Sequence, residues 1–187
     1  MTETDKRTLI ALARESIEAS LFACDTPLFR QLGAATTFPF SERRGCFVTL
    51  RTKQGQLRGC IGTIIAREPL VQAVAALARE AAFSDPRFKP LTAAQWPTIV
   101  VEISVLTEPV EIDAYQQIRV GFDGVLLTLH ARRAVFLPQV ASEQGWSLEE
   151  MLTHLSMKAG LAPDAYKDPR CRFEVFQAEV FSDEDPL

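Results

Sequence analysis

The chain has 187 residues, 47% hydrophobic and 24% charged, a balance typical of a soluble globular protein and enough to bury a core in one domain or two small lobes. Its formal net charge of −4 argues against a general electrostatic grip on nucleic acid, which needs a basic face. No run approaches the roughly 20 apolar residues of a membrane span, the polar Met1 end does not read as a secretory leader, and the four cysteines form no CxxC pair, with only His130 and His154 to add imidazole, so no metal site is expected and free thiols in a reducing cytoplasm are.

Residues 5 to 22 carry Leu9, Leu12, Ala13, Ile17 and Leu21 on one helical stripe. Residues 23 to 44, with Pro27, Gly33 and Pro39, read as a long connection around a short helical turn. Two apolar runs flank TKQGQ, where Gly55 supplies the turn of a β-hairpin. Pro69 fits the first turn of a helix running to about Phe83, with Leu70, Val74, Leu77, Ala78 and Ala81 facing inward. Pro86 blocks continuation, so SDPRFKPL is a loop. IVVEISVL, residues 99 to 106, has the β-branched content of an inner strand. GFDGVLLTL and ARRAVFL form a second hairpin with His130 near its tip. Ser147 and Glu150 make a capping box for the next helix, and Gly160 sits where a C-cap glycine belongs. CRFEVFQAEVF, residues 171 to 181, reads as one final strand, and residues 182 to 187 as a frayed acidic tail. Hairpins separated by helices point to an α+β fold with antiparallel or mixed sheets and flanking helices.

The segment LRGCIG is unusual for a strand because it holds two glycines, an arginine and a cysteine. Simple alternation puts Leu57, Gly59, Ile61 and Thr63 on the core face and Arg58, Cys60 and Gly62 on the other. An arginine folded over the Cys60 thiol would favour the thiolate, and Gly62 would leave room for a ligand against the backbone. The plainer account is a small apolar cysteine packed inertly in a sheet. His154 and Lys158 lie four residues apart on the capped helix as weak candidates for proton handling; a snorkelling lysine and a solvated histidine are the simpler reading. Asp85 and Arg87 could bind an anion or merely shape their loop. Cys24, Cys46 and Cys171 read as structural. The cluster of Arg43, Arg44, Arg51, Lys53 and Arg58 is most simply a solvated face.

LRGCIG, taken with GCFVTL before it and AAFSDPRFKPL, ISVL, GFDGVLL, FLPQVASEQGW and KAGL after it, in that order, resembles the AMMECR domain family, whose prokaryotic members are also called AmmeMemoRadiSam system protein A. The resemblance runs from about Leu9 to Phe181. It implies a single AMMECR-type domain over residues 5 to 181, with two unequal lobes and a cleft between them, the larger lobe drawing on both chain ends and the smaller one inserted. Cys60 would lie at or near that cleft. The matched motifs also bring Gly59, Gly62, Asp85, Arg87 and Gln139 forward as ligand-binding residues. The family implies partners, a Memo-type protein and a radical SAM enzyme; iron–sulfur or SAM chemistry would be that enzyme's, since this chain has no three-cysteine cluster motif, and no cofactor is expected here.

Two readings of function stay open. In the first, an enzyme or enzyme subunit uses Cys60 as nucleophile or thiol carrier, with Arg58 tuning the thiol. In the second, a non-catalytic module holds a small anionic ligand or a partner's peptide, with Arg58 as main contact. A nucleic-acid adaptor using the basic cluster would require strong salt-sensitive binding.

Overall fold

The computed structural model describes residues 1–33 and 38–184, so residues 34–37 of the expected connection and residues 185–187 of the expected tail lie outside the described residues. The chain divides into two compact units, the first made of Met1–Leu106 with the stretch from Glu179 onward, the second of Thr107–Ala178.

In the first unit, α1 (Glu3–Phe22) opens on a capping box between Thr2 and Asp5 and α2 (Pro27–Gly33) follows. The Glu15 carboxylate accepts the N–H groups of Leu28 and Phe29, each at 2.8 Å, satisfying amides that the start of α2 leaves free. The hairpin is β1 (Cys46–Thr52) and β2 (Leu57–Thr63). Then come α3 (Leu70–Phe83), with Pro69 at its N-cap rather than inside its first turn, and β3 (Ile99–Leu106). The sheet order is β2-β1-β3-β8, where β8 is Ala178–Ser182, and β1 pairs antiparallel with both β2 and β3. The apolar stripe of α1 and the inward residues of α3 pack with Val48, Leu50, Val101 and Ile103 in one core. Ala-rich α3 comes close enough to touch β2 main chain: a Cβ on Gly59 would stand 2.1 Å from the carbonyl oxygen of Ala81.

The second unit has the sheet order β4-β7-β5-β6, built from β4 (Val110–Ile112), β5 (Gly124–Leu129), β6 (Arg132–Phe136) and β7 (Arg172–Phe176). Helices α4 (Pro138–Gln144) and α5 (Leu148–Lys158) complete it. Met151, Leu152 and Leu155 pack with Val125, Leu127 and Phe173. The Ser147–Glu150 capping box is present, His130 turns the second hairpin at φ 54, and Gly160 takes φ 71.

The α+β class with antiparallel sheets and flanking helices is as expected. Two elements, β4 and α4, were not expected. The single final strand is instead two strands, β7 and β8, in different sheets. Gln177 makes the break: its backbone N–H donates to Thr107 Oγ1 and its carbonyl accepts from Thr107 N, both at 2.9 Å, and its side-chain amide donates to Asp123 Oδ1. The tail is tied down further than expected, since Asp183 pairs with Arg14 and accepts from the N–H of Val101. Among the described residues, no helix is long and apolar enough to cross a membrane.

Because the atom facing Gly59 is helix backbone, which cannot swing aside, Gly59→Ala should cost about 3 kcal/mol in denaturant unfolding. Gly55→Ala, in a turn at φ 80 with nothing within 4 Å of the added carbon, should cost about 1 kcal/mol. Equal losses for the two would contradict this packing of α3 on β2.

Candidate functional site

β2 is the edge strand of the first sheet. An edge leaves every second residue's N–H and C=O without a strand partner. At Cys60 both groups are taken by the SDPRF loop: the N–H donates to Asp85 Oδ2 at 2.8 Å, and the C=O accepts from Arg87 Nη2 at 3.1 Å. Asp85 is 4% exposed and carries a heavy load of donors, receiving Arg87 Nε at 2.9 Å, Arg87 Nη2 at 2.6 Å and Arg87 N at 3.1 Å besides the Cys60 amide. The Arg87 guanidinium, first, and these amides hold the Asp85 carboxyl well below the usual carboxylate range against the opposing effect of burial. The two residues therefore act as a fixed, neutralised bracket on the strand edge rather than as a loose loop pair.

The Cys60 sulfur is half-buried and accepts a hydrogen bond from Thr49 Oγ1 at 3.3 Å. Thr49 lies directly opposite on β1, and Glu102 lies opposite Thr49 on β3, so thiol, hydroxyl and carboxylate line one face of three adjacent strands. Arg51 Nε stands 3.6 Å from Glu102 Oε2. The Arg87 cation is stabilised chiefly by Asp85 and to a lesser degree by the neighbouring Cys60.

Arg58 does not fold over the thiol. Its Nη2 donates to Lys89 O at 2.9 Å and Gln95 Oε1 at 3.1 Å, and its guanidinium stands 5.9 Å from the Phe88 ring. The reason is a β-bulge: the register shifts between Leu50, opposite Gly59, and Arg51, opposite Leu57, leaving Arg58 without a partner and breaking the alternation that would have aligned it with Cys60. The same shift leaves Leu57 39% exposed instead of on the core face. Gly62 offers no side-chain room for a ligand either, because a Cβ there would meet the Phe47 ring at 2.2 Å and Cys46 O at 2.6 Å. Gly59 is likewise filled from behind by α3.

The remaining candidates belong to the second unit. His154 is exposed and stacks on Trp146 with ring centres 4.2 Å apart. Lys158 donates to Val135 O at 2.9 Å, with its ammonium 4.8 Å from the Phe136 ring. Gln139 is half-buried in the first turn of α4. Of the other cysteines, burial pushes the Cys46 thiol up to about 12, helped by Glu68, burial with Asp168 pushes Cys171 up to about 11, and Cys24 is exposed. Several charges of the basic cluster are engaged within the protein, Arg43 on Arg67 O and Arg44 on Leu106 O. Among the described residues, no group of three or more His, Cys, Asp or Glu gathers as a metal-ligand set.

A family model, AMMECR1, matches residues 10–181. The chain belongs to the AMMECR1 family. Its relatives include a protein of Methanothermobacter thermautotrophicus, 41% identical over 98% of this chain and 97% of that one, and a protein of Pyrococcus furiosus, 39% identical over 95% and 88%. The crystal structure of an uncharacterized protein from Pyrococcus horikoshii is similar with a TM-score of 0.83 at 37% identity, covering 95% of this chain and 91% of that one.

The Asp85 bracket has a pH signature. Its folded carboxyl titrates below its unfolded value of roughly 4, so its contribution is complete above that pH and is lost as pH falls through the depressed folded value. Asp85→Asn should therefore cost about 2 kcal/mol at pH 7, and the gap to the parent protein should narrow as pH drops below about 4. A gap in unfolding free energy that stays constant down to pH 3 would remove Asp85 from this role.

Proposed function

We propose that this AMMECR1 family member is a thiol-dependent enzyme or enzyme subunit in which Cys60 attacks a small anionic electrophile. The observation that carries the reading is the hydrogen bond from Thr49 to a half-exposed Cys60 sulfur. The bond fixes the sulfur in one direction, and the bracketed main chain of Cys60 fixes the atom that bears it, so the nucleophile is held in place before a substrate arrives. Arg87 supplies the charge preference: its side chain is 54% exposed, and its Nη1 hydrogens have no hydrogen bond among the described residues. A carbonyl compound carrying a carboxylate or phosphate docks there: the S–C bond forms as the carbonyl π bond breaks, its electron pair passes to the carbonyl oxygen, and the thiol proton reaches that oxygen through solvent. A Memo-type protein and a radical SAM enzyme are the partners proposed to make or use that substrate.

The same free guanidinium nitrogen favours a second reading, a non-catalytic anion- or peptide-binding module in which the sulfur only fills space. Alkylation of the native protein, read cysteine by cysteine by mass spectrometry, separates the two. Cys24 and Cys60 should label while Cys46 and Cys171 stay protected until unfolding. At Cys60 alone, iodoacetate should gain on neutral iodoacetamide by about threefold relative to Cys24, and Arg87→Gln should abolish that preference. Thr49→Val should slow Cys60 labelling. A Cys60 that resists both reagents until the fold is lost would leave the binding module as the surviving reading.

A further inference from the structure

Past the Asp85–Arg87 bracket, the edge of β2 runs on into a cavity of about 310 Å³ between β2, the turn that leaves it and the flank of α3. It is separate from the Cys60 sulfur and unused by the thiol reading. Its floor is apolar, made of Ala73 and Ala76 with Leu77 and Ile61 beside them. Four charged side chains also line it, Arg44 and Arg67 against Glu68 and Glu80. Two cations and two anions around one small cavity would ordinarily pair with each other, yet these four form no ion pair among the described residues, and Arg44 spends only its Nε, on Leu106 O.

The strand adds a matched donor and acceptor. Cys60 N–H and C=O point off the sheet edge, as their bonds to Asp85 and Arg87 require. In an antiparallel pair this outward direction recurs at every second residue, the register from Gly59 to Thr63 is regular, and so Gly62 presents its N–H and C=O the same way. Gly62 lines the cavity, and the loop that caps Cys60 does not reach it. Phe47 fills the side-chain direction of Gly62 but leaves its edge-facing amide groups open.

We propose that this cavity binds a free α-amino acid with an apolar side chain. One residue laid beside β2 can form the two-bond pair that a neighbouring strand residue would form: its carboxylate accepts from Gly62 N–H and its ammonium donates to Gly62 C=O. Arg44 and Arg67 then complement the carboxylate, Glu80 and Glu68 the ammonium, and the alanine floor takes the side chain. Opposite charges that form no pairs with each other are each neutralised by the two ends of one zwitterion.

The test is a titration of the uniformly ¹⁵N-labelled full chain with each standard L-amino acid in turn, following the Gly62 amide resonance. At least one apolar amino acid, with L-leucine as the reference probe, should shift that resonance saturably. N-acetyl-L-leucine and L-leucinamide, each lacking one charge, should bind at least about tenfold more weakly. Ala76→Leu, which fills the floor, should abolish the shift while Cys60 alkylates at the parental rate, showing an intact fold. Glu80→Gln, on an exposed side chain, should weaken binding several-fold and leave the thiol unaffected. The proposal is overturned if no free amino acid moves Gly62, if the blocked derivatives bind as well as the zwitterion, if only dipeptides bind, or if Ala76→Leu leaves the shift intact. Because the thiol readout is independent, failure here and failure of the thiol reading are seen separately.

Discussion

The hydrogen bonds of Asp85 tie together features that are distant in sequence. One buried carboxylate receives the amide of Cys60 from the edge strand and three donors from Arg87. Without it, the exposed edge of β2 would present an unpaired amide and carbonyl at Cys60, the kind of template on which another strand can add. With it, a loop takes the place of a neighbouring strand for a single residue. The arginine is brought in as the carboxylate's counter-ion and is thereby set beside the thiol. Edge protection and the electrostatics of the site thus come from the same contacts, and a change to one disturbs the other.

Close packing of main chain supports this arrangement from behind. Gly59 lets the carbonyl of Ala81 come where a side-chain carbon would stand, and Gly62 admits the Phe47 ring. Gly59 therefore serves the interior of the unit, while Gly62 serves the opposite face of the sheet. Gly59 allows α3 to lie directly on β2, and the short loop leaving α3 at Phe83 then arrives at the height of Cys60. Helix position, loop position and thiol environment are consequences of one close contact.

Much of this was legible in the sequence where the signals are local. The apolar stripe of α1, the hairpin around Gly55, the β-branched run of β3 and the Ser147 capping box each carry their own period or cap. The missed helix α4 carried signals too, with Pro138 at its start and Gly145, at φ 66, just past its end, but its seven residues are too short for a clear stripe. Other errors had non-local causes. CRFEVFQAEVF is one apolar run, and its division at Gln177 depends on bonds to Thr107 and Asp123, 70 and 54 residues away. At the site, Cys60, Asp85 and Arg87 were named from their motifs. The placement of Arg58 failed because a bulge interrupts alternation, and Thr49 was overlooked because its meeting with Cys60 follows from hairpin register, which the residue pattern leaves open by one step.

The order of strands in the first sheet also bears on how the protein is made. β3 acquires its second neighbour, β8, only from the last stretch of the chain, after the whole of Thr107–Ala178 has been synthesised. On the ribosome, β1, β2 and β3 emerge long before β8, and Arg14, made earlier still, waits longer for Asp183. Throughout that interval the nascent sheet has an open flank at β3, while the intervening segment already holds every strand of its own sheet. The second unit is thus able to mature first although it starts later, and the N-terminal sheet is the last to close, a vectorial order opposite to that of translation.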